Sequence, residues 1–373
     1  MRYYIIAGEA SGDLHGSNLM KGLNIVDPNP EYRFWGGDLM QAQGGKLVKH
    51  YRETAIMGFF EVLMNIRKIG RFLRDCKKDL LEYNPDVLIL IDYPGFNLRI
   101  AEFAKSKGIK TYYYISPKIW AWKESRIKKI KAFVDKMFVI FPFEVDYYKK
   151  FDYPVEYAGN PLLDAVQAKI DEPGDFQHFI EANGLKNKPI IAILAGSRKQ
   201  EIHRNLVIML QVVSKYPEYQ FVLAAAPSIE PTFYNNYIRG HSIKVVYNQT
   251  YDTLKFSTAA LVTSGTATLE TALFNIPQVV CYRAGHLSYF VAKMLVKLKF
   301  ISLVNLIMDK EVVKELIHFD VTKEKIEKEL DMILLNENYR LEMLNNYNLL
   351  REMLGGTGAS ERVAGLIYKS LNV

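Results

Sequence analysis

Cysteine is scarce. Cys76 and Cys281 are the only two among 373 residues, which excludes a disulfide scaffold and any cysteine-built zinc module, and points to a reducing compartment. Seven histidines, at 15, 50, 178, 203, 241, 286 and 318, include no HxxxH or HxH pair, so no protein-built metal site is expected. Charges interrupt every hydrophobic stretch well short of the ~18 apolar residues that a membrane span needs. The opening run from Met1 to Glu9 is too short for a secretory core of about 7 residues or more, so a cytoplasmic location is expected. There is no Walker A sequence and no GxGxxG, which removes the common ATPase and nicotinamide fingerprints, and no cofactor is expected.

What is present is ordinary globular material: 49% hydrophobic and 24% charged, long enough for about two domains at ~150 residues each. The net charge is +7, and it is uneven. Residues 1–160 hold 25 Lys+Arg against 19 Asp+Glu, while the remainder is near balance. Arg67, Lys68, Arg71, Arg74, Lys77 and Lys78 surround a single acid, Asp75; Lys118, Lys123, Arg126, Lys128, Lys129 and Lys131 surround Glu124. Each run reads as a solvated helix face or as a footprint for an anionic partner, and composition does not choose.

Short β-rich runs alternate with helix-period segments. Strands are expected at 3–7, 32–35, 87–91, 111–115, 137–141 and 155–158, then at 190–194, 220–224, 244–247, 260–263 and 278–282. Helices are expected around 15–25, 59–82, 97–107 and 119–132, and again from Thr322 onward. Several strands are apolar on both parities, the mark of parallel strands covered on both faces. Two such series imply an α/β fold of two facing Rossmann-like domains. The expected boundaries are 1–160, 161–350 and a C-terminal helix within 351–373 that could pack back on the first domain.

Four strand-to-helix turns carry candidate chemistry, because ligands of doubly wound sheets bind at the carboxyl ends of the strands. Gly8, Glu9, Ala10, Ser11, Gly12 and Asp13 follow the first strand; a tight turn explains the glycines but not Glu9. Asp92 ends the run 87–91 and precedes Tyr93-Pro94-Gly95, where it serves either as a turn cap or as a general base. Gly196, Ser197 and Arg198, with Glu201 following, and the stretch Ser264, Gly265, Thr266, Ala267 to Glu270 repeat one logic: amides at a helix start suited to phosphate. Simple N-capping by Ser264 or Thr266 is the alternative.

Together these motifs resemble the lipid-A-disaccharide synthase family. The resemblance runs from Gly8 to about Leu316 through GEASGDLHG (8–16), ETAIMGFFEVL (53–63), IDYPGFNLR (91–99), YYISPKIWAWKESR (113–126), FPFE (141–144), GSR (196–198), SGTATLE (264–270) and ISLVNLI (301–307). It implies a glycosyltransferase-B fold, an inverting reaction, and the substrates UDP-2,3-diacylglucosamine and 2,3-diacylglucosamine 1-phosphate; with helix starts near Ser197 and Gly265–Thr266 and Arg198 stabilising the leaving UDP, such a reaction is expected to need no metal ion. It implies Asp92 as general base, Glu9 as a second essential carboxylate, Arg198 on the diphosphate, and Ser264 to Glu270 with Asn305 on the nucleotide side. The chain departs from the family pattern at Ala195, Asn160 and Val304, and Gly95 leaves Asp92 as the sole carboxylate of its loop.

Within the same fold, a UDP-N-acetylglucosamine 2-epimerase or another UDP-sugar transferase is the alternative. The greasy Met57, Phe59, Phe60, Leu63 and Met64, followed at once by the basic run 67–78, argue against a water-soluble acceptor. They suggest an acceptor and membrane surface, giving peripheral contact with an anionic membrane at the cytoplasmic face. A nucleic-acid binder using Trp120 and Trp122 is the reading from another class; no RNA-binding motif supports it, and no nucleic-acid partner is expected. Oligomeric state is not legible.

Overall fold

The computed structural model describes residues 1–54, 66–283, 285 and 299–372. It divides into two compact units: Met1–Asp164 with Leu354–Val373, and Ala165–Met353. The division falls inside the helix Pro161–Asp171, a few residues beyond the Gly159-Asn160-Pro161 turn.

The first unit is a seven-stranded parallel sheet: β1 (Arg2–Ala7), β2 (Glu31–Gly36), β3 (Lys46–His50), β4 (Val87–Ile91), β5 (Thr111–Tyr114), β6 (Lys136–Val139) and β7 (Glu156–Tyr157), in the order β3-β2-β1-β4-β5-β6-β7. The two-sided apolar pattern has a direct counterpart. Tyr4, Ile6, Leu88 and Leu90 join Phe72, Leu80 and Ile100 in one core, beneath the helices Ile66–Tyr83 and Pro94–Ser106. Tyr3, Ile5, Ile89 and Ile91 join Leu19, Leu23, Val363 and Ile367 in the other, beneath Ala10–Val26 and the last helix, Ala359–Leu371. Each fully buried large side chain is worth about 1.5–3 kcal/mol, so the last helix is bound to this unit by its apolar face. Asp164 secures the start of that helix, its carboxylate accepting from the Gly358 and Ser360 amides.

The second unit is a six-stranded parallel sheet: β8 (Ile190–Leu194), β9 (Gln220–Ala225), β10 (Ile243–Tyr247), β11 (Ser257–Val262), β12 (Gln278–Tyr282) and β13 (Lys314–Ile317), in the order β10-β9-β8-β11-β12-β13. β3 and β13, unannounced by the sequence pattern, are both edge strands. Lys46, Lys49, Lys314 and Glu315 break their alternation, as charges on edges do when they discourage further pairing. The helix expected over 119–132 shortens to a 3-10 turn at Glu124–Arg126 and an α-helix at Ile127–Phe133. Lys123, left-handed at φ 57°, separates these turns from the residues before them and prevents one continuous helix.

Candidate functional site

In each sheet the chain runs outward in both directions from one adjacent strand pair, β1 and β4 in the first unit, β8 and β11 in the second. Outside the carboxyl ends of such a pair the loops diverge and leave a crevice, the usual ligand position of an open α/β sheet. Every sequence-derived turn motif begins at one of these four strand ends.

In the first unit Ala7 pairs in register with Ile91, so Glu9 and Asp92 emerge beside each other. The Tyr93 ring lies flat on Gly8, where a Cβ would come within 2.4 Å of it, and no larger residue fits. Asp92 (φ 41°) and Tyr93 (φ 47°) are both left-handed, a conformation costing roughly 1–2 kcal/mol for each non-glycine residue. Asn97, fully buried, holds them there: its Nδ2 donates to the Ile91 carbonyl at 3.2 Å and to the Asp92 carbonyl at 2.8 Å. The Tyr113 hydroxyl donates to the same Asp92 carbonyl, and the Asp92 amide reaches Tyr114 at 3.3 Å. The Asp92 carboxyl is thus aimed by a backbone that has no slack. Burial raises its pKa above the ordinary carboxylate range, with Lys118 and Arg126 pulling the other way. Half-buried Glu9 lies near the Tyr93 hydroxyl, whose pKa is raised by burial first and by the Glu9 charge second.

Two further carboxylates in the quoted motifs do scaffold work that the sequence did not reveal. Asp13 accepts from the amides of Gly37 (2.7 Å), Leu39 (3.1 Å) and Met40 (3.1 Å), clamping the loop after β2. Glu144, buried, accepts from Ser116 Oγ, Trp120 Nε1 (3.1 Å), and the amides of Ile140 (3.1 Å) and Phe141 (3.0 Å). This knot ties YYISPKIWAWKESR to FPFE and carries Lys118 and Arg126 to where they act on Asp92. It also spends Trp120, which packs edge-on against Phe141 and Phe143, leaving only Trp122 of the pair exposed. The spacing Pro142-x-Glu144 behind an apolar residue is a helix-start signature that could have identified the Glu144 role.

The second unit holds a cavity of ≈ 270 Å³ at its strand ends. Its walls are Gly196, Ser197 and Glu201 after β8, Ala226 and Pro227 after β9, and Ser264, Gly265, Thr266, Ala267 and Glu270 after β11. The capping alternative does not hold. The Ser264 hydroxyl donates to the Ile301 carbonyl at 2.8 Å, and Gly265 (φ 131°) precedes the helix Thr266–Leu273 with no side-chain cap. The first amides of that helix therefore remain available at the positive end of its dipole. Glu270, whose pKa burial raises, accepts from the Tyr251 hydroxyl at 2.9 Å. Arg198 is exposed at the start of the helix Lys199–Met209, and its guanidinium makes no hydrogen bond or ion pair among the described residues.

Asn305, expected on the nucleotide side, is fully buried, and its side-chain amide is bonded internally. Nδ2 donates to the Val313 carbonyl (2.8 Å) and Glu315 Oε1 (2.9 Å), while Oδ1 accepts from the Val312 (2.8 Å) and Val313 (3.0 Å) amides. An amide side chain with both donors and both lone pairs spent has nothing left for a ligand. Asn305 and Ser302 both bond to Glu315 and so lock the turn into β13.

Met57, Phe59, Phe60, Leu63 and Met64 lie outside the described residues. The helix that follows, Ile66–Tyr83, buries Phe72, Cys76 and Leu80 and exposes Arg67, Lys68, Arg71, Arg74 and Lys78. Among the described residues, no cluster of His, Cys, Asp and Glu has metal-binding geometry, and no helix is long and apolar enough to cross a membrane.

Comparison with known proteins extends the resemblance beyond its motifs. A family model described as lipid-A-disaccharide synthetase matches residues 3–361. A lipid-A-disaccharide synthase of Geobacter metallireducens is 37% identical, covering 99% of this chain and 97% of its own. One of Coxiella burnetii is also 37% identical, covering 98% and 97%. A UDP-GlcNAc 2-epimerase from Neisseria meningitidis, solved bound to UDP-GlcNAc, superposes with a TM-score of 0.72 over 99% of this chain and 100% of that one. At 14% identity it shows the shared two-sheet glycosyltransferase-B fold alone. Near-complete coverage by the family model and by relatives at this identity settles the matter: the chain belongs to the lipid-A-disaccharide synthetase family and is a glycosyltransferase.

Proposed function

We propose that the chain joins UDP-2,3-diacylglucosamine to 2,3-diacylglucosamine 1-phosphate, forming a β-1,6-linked disaccharide 1-phosphate and releasing UDP. The observation that carries the reading is Asp92: a half-buried carboxylate on a strained turn, fixed by Asn97 and Tyr113 at a strand-end crevice. In a single displacement the acceptor 6-hydroxyl oxygen forms a bond to the anomeric carbon as the bond to the UDP oxygen breaks. Asp92 takes the hydroxyl proton, and the bonding pair leaves with UDP. Glu9, at the next strand end, is the second carboxylate placed to orient the acceptor.

On the donor side, the uncapped amides after Gly265, together with Arg198, supply positive potential for the departing diphosphate without a metal ion. Glu270, beside the same amides, is placed to accept from ribose hydroxyls. Mass spectrometry of products from both lipid sugars, with and without EDTA, tests the proposal. Disaccharide phosphate plus UDP in both conditions supports it. UDP without disaccharide would indicate hydrolysis or epimerisation instead, and loss on chelation restored by Mg²⁺ would replace the metal-free account.

Both proposed substrates carry acyl chains, so the protein must meet a membrane surface. The apolar segment 57–64 and the exposed cations of Ile66–Tyr83 fit a surface greasy inside and anionic outside, each cation contributing about 1 kcal/mol near it. Sedimentation with anionic vesicles should weaken with salt and with Phe59→Ser combined with Phe60→Ser. Unchanged binding by that folded double variant would assign 57–64 elsewhere.

A further inference from the structure

The second-unit cavity carries an oddity of charge. An anion cradle should offer its amides, yet the Ser197 N–H already donates to Glu201 Oε2 at 3.1 Å. Glu201 stands in the first turn of the helix Lys199–Met209 and folds back over Gly196, whose φ of 114° favours glycine; a Cβ there would meet Oε2 at 2.5 Å. A carboxylate therefore already holds an amide that would otherwise be open to a phosphate oxygen. Meanwhile the guanidinium groups of Arg198 and Arg204 make no hydrogen bond or ion pair among the described residues, although both of them and the Glu201 carboxylate act on one Tyr282 hydroxyl. Arg204 stands three positions after Glu201, the helical spacing that long opposite charges bridge. The backbone beneath is fixed: Asn205 Nδ2 donates to the Glu201 carbonyl (2.9 Å), and its Oδ1 accepts from the Arg283 amide (2.7 Å).

We propose that Glu201 is a latch on the leaving-group pocket: its carboxylate holds the Ser197 amide while the pocket is empty, yields it to a nucleoside diphosphate by turning toward Arg204, and on returning helps expel that product. The latch rests on the nucleotide reading of this pocket and changes what Glu201 does in it, from ligand contact to competitor. It gives the carboxylate two seats, one of which the ligand closes, and it makes diphosphate binding weaker but product release faster.

Calorimetric titration of UDP into the wild type, Glu201→Gln, Arg204→Gln and the double variant tests this. Glutamine keeps an acceptor for the Ser197 amide but loses the charge. Glu201→Gln should bind UDP about fivefold tighter or more, within the usual span of site-to-site coupling, and show stronger product inhibition. Arg204→Gln should weaken UDP binding when Glu201 is present and have no effect when residue 201 is neutral. A folded Glu201→Gln variant with unchanged or weaker UDP affinity, as a purely helix-capping Glu201 would give, overturns the latch. So does an equal Arg204→Gln effect in both backgrounds, which would mean direct contact with the nucleotide. A wild type that does not bind UDP at all would remove the nucleotide reading and take the latch with it.

Discussion

The two sheets solve the same topological position with opposite means. At β1 and β4 the chain spends strain, two consecutive left-handed residues, and spends buried donors, Asn97 and Tyr113, to fix one carboxyl group. At β8 and β11 the helices Lys199–Met209 and Thr266–Leu273 start without side-chain caps, and the Arg198 guanidinium makes no hydrogen bond or ion pair among the described residues. Rigid placement of a single group suits proton transfer, where a general base must sit within hydrogen-bond reach of one oxygen. Unspent donors suit an ion that arrives, changes charge and leaves. A crevice at a strand pair is a property of the fold; what it does depends on whether its polar groups are satisfied beforehand.

The sharpest way to break the comparison is Asp92→Asn. It should lower kcat by roughly 10²–10⁴, the range for loss of a general base, while circular dichroism and UDP affinity stay at wild-type values. Near-normal kcat would move the base to Glu9. Arg198→Ala should act on the other side alone. It should raise donor KM and lower kcat together, by roughly 10–100-fold in kcat/KM, with acceptor KM unchanged in steady-state kinetics.

The two buried asparagines sharpen the contrast further. Asn97→Ala should reduce kcat by about tenfold, because Asp92 loses its backbone support, with some loss of stability. Asn305→Ala should cost about 1–3 kcal/mol in urea unfolding, from buried groups left unpaired, with kcat of the folded fraction unchanged. Equal effects of the two on kcat would mean that Asn305 reaches the reaction after all.

How much of this the sequence discloses depends on the distance over which each feature is written. The paired strands 3–7 and 87–91 and the turns after them were legible, because two-sided burial and small turn residues are local patterns. The motif lengths were legible too, but not their causes. Glu144 answers to Ser116 and Trp120, and Asn305 to Glu315, through contacts spanning 10–28 positions that no periodicity encodes. Asn97 was present within IDYPGFNLR yet indistinguishable from an ordinary helix residue until its side chain was seen bonded to the Asp92 carbonyl. The edge strands β3 and β13 escaped because charge hides the alternation there. A long motif thus marked both the proposed reacting groups and the side chains that hold the loops, and the hydrogen bonds separate the two.

The smallest expected effect concerns the charge around Asp92. Burial is the largest influence and favours the protonated acid; Lys118 and Arg126 favour the carboxylate and partly offset it. A general base works only when deprotonated, so activity should fall as pH drops through the Asp92 pKa. Because that pKa is raised, the acid limb of kcat/KM should lie above the ordinary carboxylate range near 4. Lys118→Ala removes one of the lowering influences, so the pKa rises again and the limb moves to higher pH, while the plateau at higher pH changes little. Asp92→Asn should abolish the limb in whatever activity remains. The measurement is kcat/KM from pH 4 to 9 for the three proteins. A limb that stays in place in Lys118→Ala would mean that the titrating group is not Asp92, since Lys118 is the largest opposing charge acting on it.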